Sequence, residues 1–93
     1  MQLPSVPHSM HYVYIPKSLK NGDIYVGQTS DLKNRYQRHN LGRIKSTKAY
    51  VPWQLIYYEA YRSKKDITRR ERQLKEHKPK NDLVKQIENS LKE

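Results

Sequence analysis

Two tyrosine-bearing triplets lie near the start of the chain, Tyr12-Val13-Tyr14 and Tyr25-Val26-Gly27. Tyrosine hydroxyls donate and accept hydrogen bonds and, when their pKa is perturbed, exchange protons. The residues around both triplets favour β-strands, and Asn21-Gly22 between them favours a tight turn. The sequence therefore predicts a hairpin that places Tyr14 near Tyr25 and brings polar chemistry to the side of a sheet.

An arginine, an imidazole and a carboxylate follow at inward-facing positions of predicted helices. Arg35 and His39 are one turn apart, so they share one side of a helix that begins near Asp31. Glu71 lies about 40° from Ile67 on a later helix, at roughly 100° per residue, and therefore points towards the body of the protein. Inward carboxylates and imidazoles must be satisfied or neutralised, so with the two tyrosines these groups indicate a phosphodiester site.

Three short segments have the composition of β-strands. They are His11 to Ile15, which Pro16 is expected to end, Ile24 to Gly27, and Trp53 to Tyr61. Because the third segment is the most apolar, we expect it at the centre of the sheet. The predicted fold class is α+β, with a small three-stranded antiparallel sheet flanked by helices.

Helix signals follow the second and third of these strands. The first helix is predicted over about 31–40, after the capping oxygens of Thr29–Asp31, and Gly42 ends it. Ser63 caps a second helix that Pro79 closes, and a last helix covers about 81–91. Residues 1–10, with two prolines, are expected to be a flexible lead-in, and residues 11–93 form one domain.

The composition points to a polyanionic partner. Lys and Arg number 19 against 9 Asp and Glu, which gives a formal net charge of +10 spread along the chain. Such a surface binds nucleic acid in a salt-dependent way. The absence of cysteine excludes disulfides, thiolate metal sites and a cysteine nucleophile. No stretch approaches the roughly 20 apolar residues of a membrane span, so we expect no membrane association and a cytoplasmic location.

The order and spacing of the candidate residues resemble those of the GIY-YIG nucleases over most of the chain. The two tyrosine triplets stand where the family has its name-giving triplets, and Tyr12 replaces the first glycine. Arg35 and His39 form the family's Arg-x-x-x-His arrangement, and Glu71 lies on the later helix that carries its metal-binding glutamate. Gln28 follows the second triplet, where some members have a lysine. The resemblance implies a GIY-YIG-like domain.

This resemblance implies a metal-dependent endonuclease that hydrolyses phosphodiester bonds in DNA. Glu71 would bind one ion, Mg²⁺ or Mn²⁺, because a single carboxylate with retained waters suits such a hard cation. Arg35 would bind the non-bridging phosphate oxygens. Tyr25, alone or with Tyr14, would orient or deprotonate the attacking water, and His39 would take or relay the proton. Any of these last three residues could be the general base.

Further nucleic-acid contacts are predicted in the basic loop after the first helix and beyond the glutamate helix, at Arg43, Lys45, Lys48 and Asn81. The family's additional DNA-recognition domains have no counterpart in this sequence. We therefore expect a substrate selected by structure or damage, such as branched, damaged or single-stranded DNA, a role in DNA repair, and a protein partner that supplies specificity.

Two other function classes fit parts of the pattern. A non-catalytic nucleic-acid-binding module would use the same basic face, but it has no need of an inward carboxylate, which repels phosphate unless a metal intervenes. An RNA- or ribosome-associated basic protein would depend on charge alone, and Glu71→Ala would leave its function unchanged. Trp53 and Tyr57 are expected in the core, although an exposed face of either could stack a base.

Overall fold

The computed structural model describes residues 10–93 and shows a three-stranded antiparallel sheet flanked by helices, as predicted. Of the predicted lead-in, residues 1–9 lie outside the described part of the chain. The elements are β1 (His11–Ser18), β2 (Gly27–Thr29), α1 (Leu32–Asn40), β3 (Trp53–Tyr61), α2 (Lys64–Leu74), α3 (His77–Gln86) and α4 (Glu88–Lys92). No helix within residues 10–93 is long and apolar enough to cross a membrane.

The first strand, not the third, occupies the centre of the sheet. The strand order is β2-β1-β3, so the prediction that Trp53–Tyr61 is central was wrong, although its bounds are confirmed. Pro16 does not end β1, because a β-bulge shifts the register between Ile15 and Pro16 and the pairing continues to Ser18. The missing N–H of Pro16 is tolerated there, and its carbonyl accepts a hydrogen bond from the Tyr25 N–H at 3.1 Å.

The second strand is shorter and later than predicted. It covers Gly27–Thr29, and before it only an isolated bridge joins Ile24 to Lys17. Tyr25 therefore lies outside the regular ladder, whereas Gly27 is the direct partner of Tyr14. This offset decides which residue of the second triplet faces the buried tyrosine.

Alternation along β1 divides its side chains between the two faces of the sheet. Val13 and Ile15 are buried on one face, in a cluster with Ile67 and Leu74 of α2 and with residues of α3. Tyr14 points to the opposite face, where it contacts α1. The main apolar core therefore lies on the α2 side of the sheet, and the polar residues that β1 and α1 bring together lie on the other side.

The predicted starts of the first two helices are confirmed. Asp31 Oδ1 accepts a hydrogen bond from the Asn34 N–H, and Ser63 Oγ accepts one from the Lys65 N–H. The predicted ends are less accurate. α2 stops at Leu74, and Pro79 lies in the first turn of α3, where a backbone N–H has no helical acceptor.

The predicted last helix is divided in two. α3 already begins at His77, and the chain kinks at Ile87 before α4. Leu83 and Ile87 are buried against the core, and Leu91 packs beside them, so both helices of this region cover the apolar cluster.

A bidentate ion pair holds α2 against the edge strand β3. Arg70 Nε and Nη2 lie 2.8 and 2.9 Å from the two carboxylate oxygens of Glu59, which also accept the hydroxyls of Tyr57 and Tyr61. Burial raises the pKa of Glu59, but the hydrogen bonds from Arg70 and the tyrosines outweigh it and hold this pKa below its usual range. Burial and the neighbouring anion raise the pKa of Tyr57 to about 12. The ion pair fixes the rotation of α2 and thereby the side on which Glu71 lies.

Leu74→Ala should test how much the α2 contact stabilises the fold. Leu74 is fully buried in the main cluster, so the shortened side chain should lower the free energy of unfolding by about 2–5 kcal/mol. Leu41→Ala is the matched control, because Leu41 is 65% exposed and should change stability by about 0.5 kcal/mol or less. Urea unfolding followed by circular dichroism measures both, and equal effects would contradict the assigned core.

Candidate active site

The hydroxyl of Tyr14 contacts two of the other predicted site residues, Arg35 and His39. It accepts a hydrogen bond from Arg35 Nε at 3.0 Å and lies 2.7 Å from His39 Nε2. Tyr14 is presented by the central strand, and Arg35 and His39 by successive turns of α1. Tyr14 and His39 are both fully buried, so their polar atoms depend on these contacts rather than on water.

The donors and acceptors of this cluster can be ordered. An arginine N–H can only donate, so the single proton of the Tyr14 hydroxyl must be directed to His39 Nε2, which accepts it. The other ring nitrogen, Nδ1, then carries the hydrogen of the neutral ring and donates it to Thr47 Oγ1 at 2.8 Å. Thr47 in turn donates to the carbonyl of Ile44 over a long 3.4 Å contact. The chain of hydrogen bonds therefore assigns one tautomer to His39.

Burial keeps this cluster uncharged at its centre. It lowers the pKa of His39 to about 4, with the positive charge of Arg35 as a second cause. Burial also raises the pKa of Tyr14, although the hydrogen bond and charge of Arg35 partly offset it. At neutral pH, His39 is therefore an uncharged acceptor and Tyr14 an intact phenol, with the positive charge outside on Arg35.

Tyr25 completes an aromatic cluster beside these residues. Its ring centroid lies 5.3 Å from that of His39 and 6.4 Å from those of Tyr14 and Trp53, so the predicted proximity of the two tyrosines is confirmed. Tyr25 remains half-buried, unlike Tyr14. The pKa of Arg35 is raised, mainly by its hydrogen bond to Tyr14 and to a smaller extent by the Tyr25 phenol. Both tyrosines thus lie near the guanidinium.

Gly27 explains why the second triplet ends in glycine. It is paired with Tyr14 across the sheet, and a Cβ atom at this position would lie 2.6 Å from both Cζ and the hydroxyl oxygen of Tyr14. The phenol therefore passes over the bare backbone of β2. Sequence reasoning named this glycine only as part of a motif and did not predict its contact.

Glu71 approaches the site from α2, on the far side of the sheet. Its Oε1 accepts a hydrogen bond from Gln28 Nε2 at 3.2 Å and lies 3.7 Å from Lys75 Nζ. The negative charge of Glu71 is close enough to contribute to the raised pKa of Tyr14. Gln28, noted in the sequence only as a departure from some GIY-YIG members, therefore links the edge strand to the carboxylate.

The donor set around Glu71 fits a loosely held divalent cation rather than a complete protein cage. Within residues 10–93 there is no cluster of three or more His, Cys, Asp or Glu side chains that could surround a metal. Glu71 offers one partly exposed carboxylate, and the Gln28 side chain beside it has an amide oxygen. Mg²⁺ is commonly held by one or two carboxylates, with the remaining positions taken by waters and substrate phosphates.

The predicted outer contacts are exposed. Arg43, Lys45 and Lys48 project from the loop after α1. Asn81 is exposed on α3, where its amide lies 3.2 Å from His77 Nε2. No side-chain hydrogen bond among residues 10–93 joins these four residues to the cluster around Tyr14, and their contact with nucleic acid stays a prediction.

A family model described as the GIY-YIG catalytic domain matches residues 10–92, nearly the whole chain. The chain belongs to the GIY-YIG family. Membership places it among nuclease-type domains.

Named relatives of this GIY-YIG chain are UPF0213 proteins. One from Staphylococcus saprophyticus is 39% identical over 66 residues, covering 70% of this chain and 79% of the relative. One from Staphylococcus aureus is 38% identical with the same coverage. The solution NMR structure of a UPF0213 protein from Bacillus halodurans is similar with a TM-score of 0.52 and 34% identity, covering 82% of this chain and 83% of that one. These names state no activity.

His39 should titrate far below an ordinary histidine. Its folded pKa of about 4 lies below the unfolded value of 6.5, so between these values the unfolded chain binds a proton that the folded chain does not. This residue therefore contributes stability of about 3 kcal/mol that is fully present above pH 6.5 and is lost as the pH falls to about 4. NMR titration of the His39 ring protons measures the midpoint, and a midpoint near 6.5 would refute the neutral, buried ring.

Thr47→Val should release the His39 tautomer. The valine removes the oxygen that accepts the Nδ1 hydrogen, and an unpaired buried N–H costs about 1–3 kcal/mol. Nitrogen-15 chemical shifts of the two ring nitrogens report the tautomer, and urea unfolding reports the stability. Thr47→Ser, which keeps the hydroxyl, should preserve the wild-type tautomer. Unchanged nitrogen-15 shifts of the His39 ring in Thr47→Val would mean that Thr47 does not orient this ring.

Proposed function

We propose that this chain is a metal-dependent endonuclease that hydrolyses phosphodiester bonds in DNA, with residues 11–93 as a single nuclease domain. The observation that carries the proposal is the continuous contact of Arg35, Tyr14 and His39 beside Tyr25, in a chain of the GIY-YIG family. A basic binding protein needs surface charge but has no use for a buried, tautomer-specific hydrogen-bond network. Such a network is suited to holding reactive groups in fixed positions.

Arg35 is the proposed phosphate ligand. Its Nε is bonded to Tyr14, which fixes the plane of the guanidinium and leaves four N–H donors on the two terminal nitrogens. These donors match the non-bridging oxygens of a phosphate, whose charge grows as the attacking oxygen approaches. Tyr14 is therefore a positioning residue for Arg35, because its buried hydroxyl cannot reach solvent in this conformation.

Tyr25 is the proposed contact to the attacking water. It is half-buried and close to Arg35, whereas Tyr14 and His39 are fully enclosed. The Tyr25 hydroxyl lies close to the Arg35 guanidinium and can accept a hydrogen bond from the attacking water, which would orient the water towards a phosphate bound at Arg35. His39, neutral at pH 7, accepts the Tyr14 hydrogen bond and holds the Arg35 side of the site in place. Of the three candidates, Tyr25 is therefore the residue proposed to contact the attacking water.

Glu71 is the proposed metal ligand, with Gln28 beside it. When bound, one Mg²⁺ or Mn²⁺ ion would neutralise charge on the phosphate and assist the leaving oxygen. The carboxylate comes from α2 and the guanidinium from α1, and the effect of the Glu71 charge on the pKa of Tyr14, which binds Arg35, supports a role for both groups at one phosphate. The surrounding surface is cationic: exposed Arg43, Lys45 and Lys48 follow α1, and Lys64, Lys65, Arg69 and Arg72 line a groove on α2.

A non-catalytic nucleic-acid-binding module is the second candidate, and one observation favours it. Glu71 already has two partners, Gln28 and Lys75, so its charge is compensated without a metal. In that case Glu71 would stabilise the junction of α2 and β2, and the basic surface alone would bind DNA. Cleavage assays distinguish this module from a nuclease.

Arg35→Lys and Glu71→Gln should each abolish metal-dependent cutting. Lysine keeps the charge of Arg35 but loses its planar donors, and glutamine keeps the shape of Glu71 but loses the anionic ligand. We expect at least about a hundredfold lower rate for each variant, in line with the loss of a transition-state contact. The measurement uses labelled single-stranded, duplex and branched DNA, with and without Mg²⁺ or Mn²⁺.

Arg38→Lys and Glu76→Gln are the matched controls: Arg38 is exposed on α1, Glu76 is exposed in the turn between α2 and α3, and neither has a side-chain hydrogen bond to the Tyr14 cluster. They should cut at the wild-type rate. If the wild-type protein binds DNA but does not cut it, with or without Mg²⁺ or Mn²⁺, the chain is the non-catalytic module. Cutting that survives in Glu71→Gln would remove Glu71 from the proposed site.

A further inference from the structure

One face of the sheet carries an exposed aromatic surface next to the candidate site. Because paired residues of neighbouring strands share a face, the register places a set of side chains beside Tyr14. The paired positions of this face are Tyr12, Tyr14, Gly27, Thr29, Tyr58 and Ala60. None of these six positions carries a negative charge, and two of them, Gly27 and Ala60, have little or no side chain.

Tyr58 is the prominent residue of this face. It is 53% exposed, and its ring meets that of Tyr12 edge-on at a centroid distance of 5.9 Å. The tyrosine before it is used differently, because Tyr57 turns to the core side and donates its hydroxyl to Glu59. Trp53 is buried and donates its Nε1 hydrogen to the Thr47 carbonyl. The side chains of Trp53 and Tyr57, the two residues that the sequence suggested for base stacking, are therefore held by contacts within the protein. The ring of Tyr58 is exposed and can contact a base.

Tyr58 lies one strand away from Tyr14, the residue that holds the proposed phosphate ligand Arg35. Tyr58 is the direct partner of Tyr14 on the neighbouring strand, at a strand spacing of about 4.7–4.9 Å. Tyr14 in turn holds Arg35. A nucleotide whose phosphate lies on Arg35 would thus have an aromatic ring within one strand of the sheet.

The charge around this face is complementary to a nucleic-acid strand. Arg35 borders it on the α1 side, and Arg62 follows directly after the end of β3. The nearest carboxylate of β3, Glu59, lies on the opposite face in its ion pair with Arg70. An acid-free, aromatic surface bordered by arginines matches a phosphate backbone with an exposed base, and base–aromatic stacking is tolerant of sequence.

We propose that Tyr58, braced by Tyr12, stacks an unpaired base of the nucleic acid bound at Arg35, so that the substrate contains unpaired nucleotides at the site. Bases within a duplex are covered on both faces by their neighbours and offer no ring to Tyr58 unless they are flipped out. The proposal rests on the proposed function for the position of the phosphate. Its test measures binding alone, without a divalent metal, so it does not depend on cleavage.

The test compares Tyr58→Thr, which keeps a strand-forming residue but removes the ring, with Tyr58→Phe, which keeps the ring. Fluorescence anisotropy in EDTA measures the affinity for a labelled single-stranded DNA oligonucleotide and for its duplex. Tyr58→Thr should weaken single-strand binding by about 5- to 100-fold. Tyr58→Phe should bind like the wild type, and duplex binding should be unchanged in both variants.

Tyr50→Thr is the matched control, because Tyr50 is also exposed, at 43%, but lies on the turn before β3 rather than on this face. It should leave single-strand binding unchanged. An oligonucleotide of the same length made of abasic nucleotides provides the decisive comparison, since Tyr58→Thr should bind it as well as the wild type does. Equal weakening for the abasic and intact strands, equal weakening for the duplex, or no weakening at all would overturn the proposal.

Cutting and stacking can fail separately in these experiments. A ring-dependent loss of single-strand affinity in a protein that never cuts would retain the stacking site and reject the nuclease. Metal-dependent cutting with no effect of Tyr58→Thr on affinity would retain the nuclease and reject the stacking site. Circular dichroism of Tyr58→Thr confirms that the variant is folded before either result is read.

Discussion

The burial of one phenol hydroxyl constrains much of this structure. Tyr14 lies on the central strand with no access to water, so its hydroxyl must find partners within the protein. α1 supplies them on one turn and the next, as Arg35 and His39, and Gly27 supplies the space that the ring needs. A shift of α1 along the sheet, or of β2 by one residue, would break these contacts together. The register of β2 and the placement of α1 are thus coupled through one oxygen atom.

One face of the sheet carries the main apolar core, and the other carries the buried polar cluster of the candidate site. The face towards α2 carries the apolar cluster around Val13 and Leu74, and the bidentate pair of Arg70 with Glu59 fixes α2 at its edge. The other face carries the neutral, buried hydrogen-bond chain and, beyond it, the exposed ring of Tyr58. Charges that can meet a substrate are left near the rim of the protein, where their desolvation cost is low.

Much of the fold was predictable because its signals are local. The capping oxygens of Asp31 and Ser63 and the strand composition of 53–61 act within a few residues, and each was confirmed. The errors have non-local causes. The most apolar strand was expected at the centre, but β3 lies at the edge, where its Ile56, Tyr57 and Tyr61 still pack against the apolar cluster. Pro16 was expected to end β1, but a β-bulge accommodates this proline within the strand, and no local sequence pattern indicates the bulge.

The sequence by itself determined the family and the five candidate residues, because motif spacing along helices and strands is a local geometric property. Only the tertiary structure decided how those residues meet. Tyr14 and His39 are enclosed, whereas Tyr25 is half-exposed. Thr47 contacts His39 from a loop that has no sequence periodicity, and Gln28 binds Glu71 although 43 positions separate them in the sequence. Burial and pairing depend on how distant segments pack, and the pKa values follow from burial, so these properties cannot be read from local spacing.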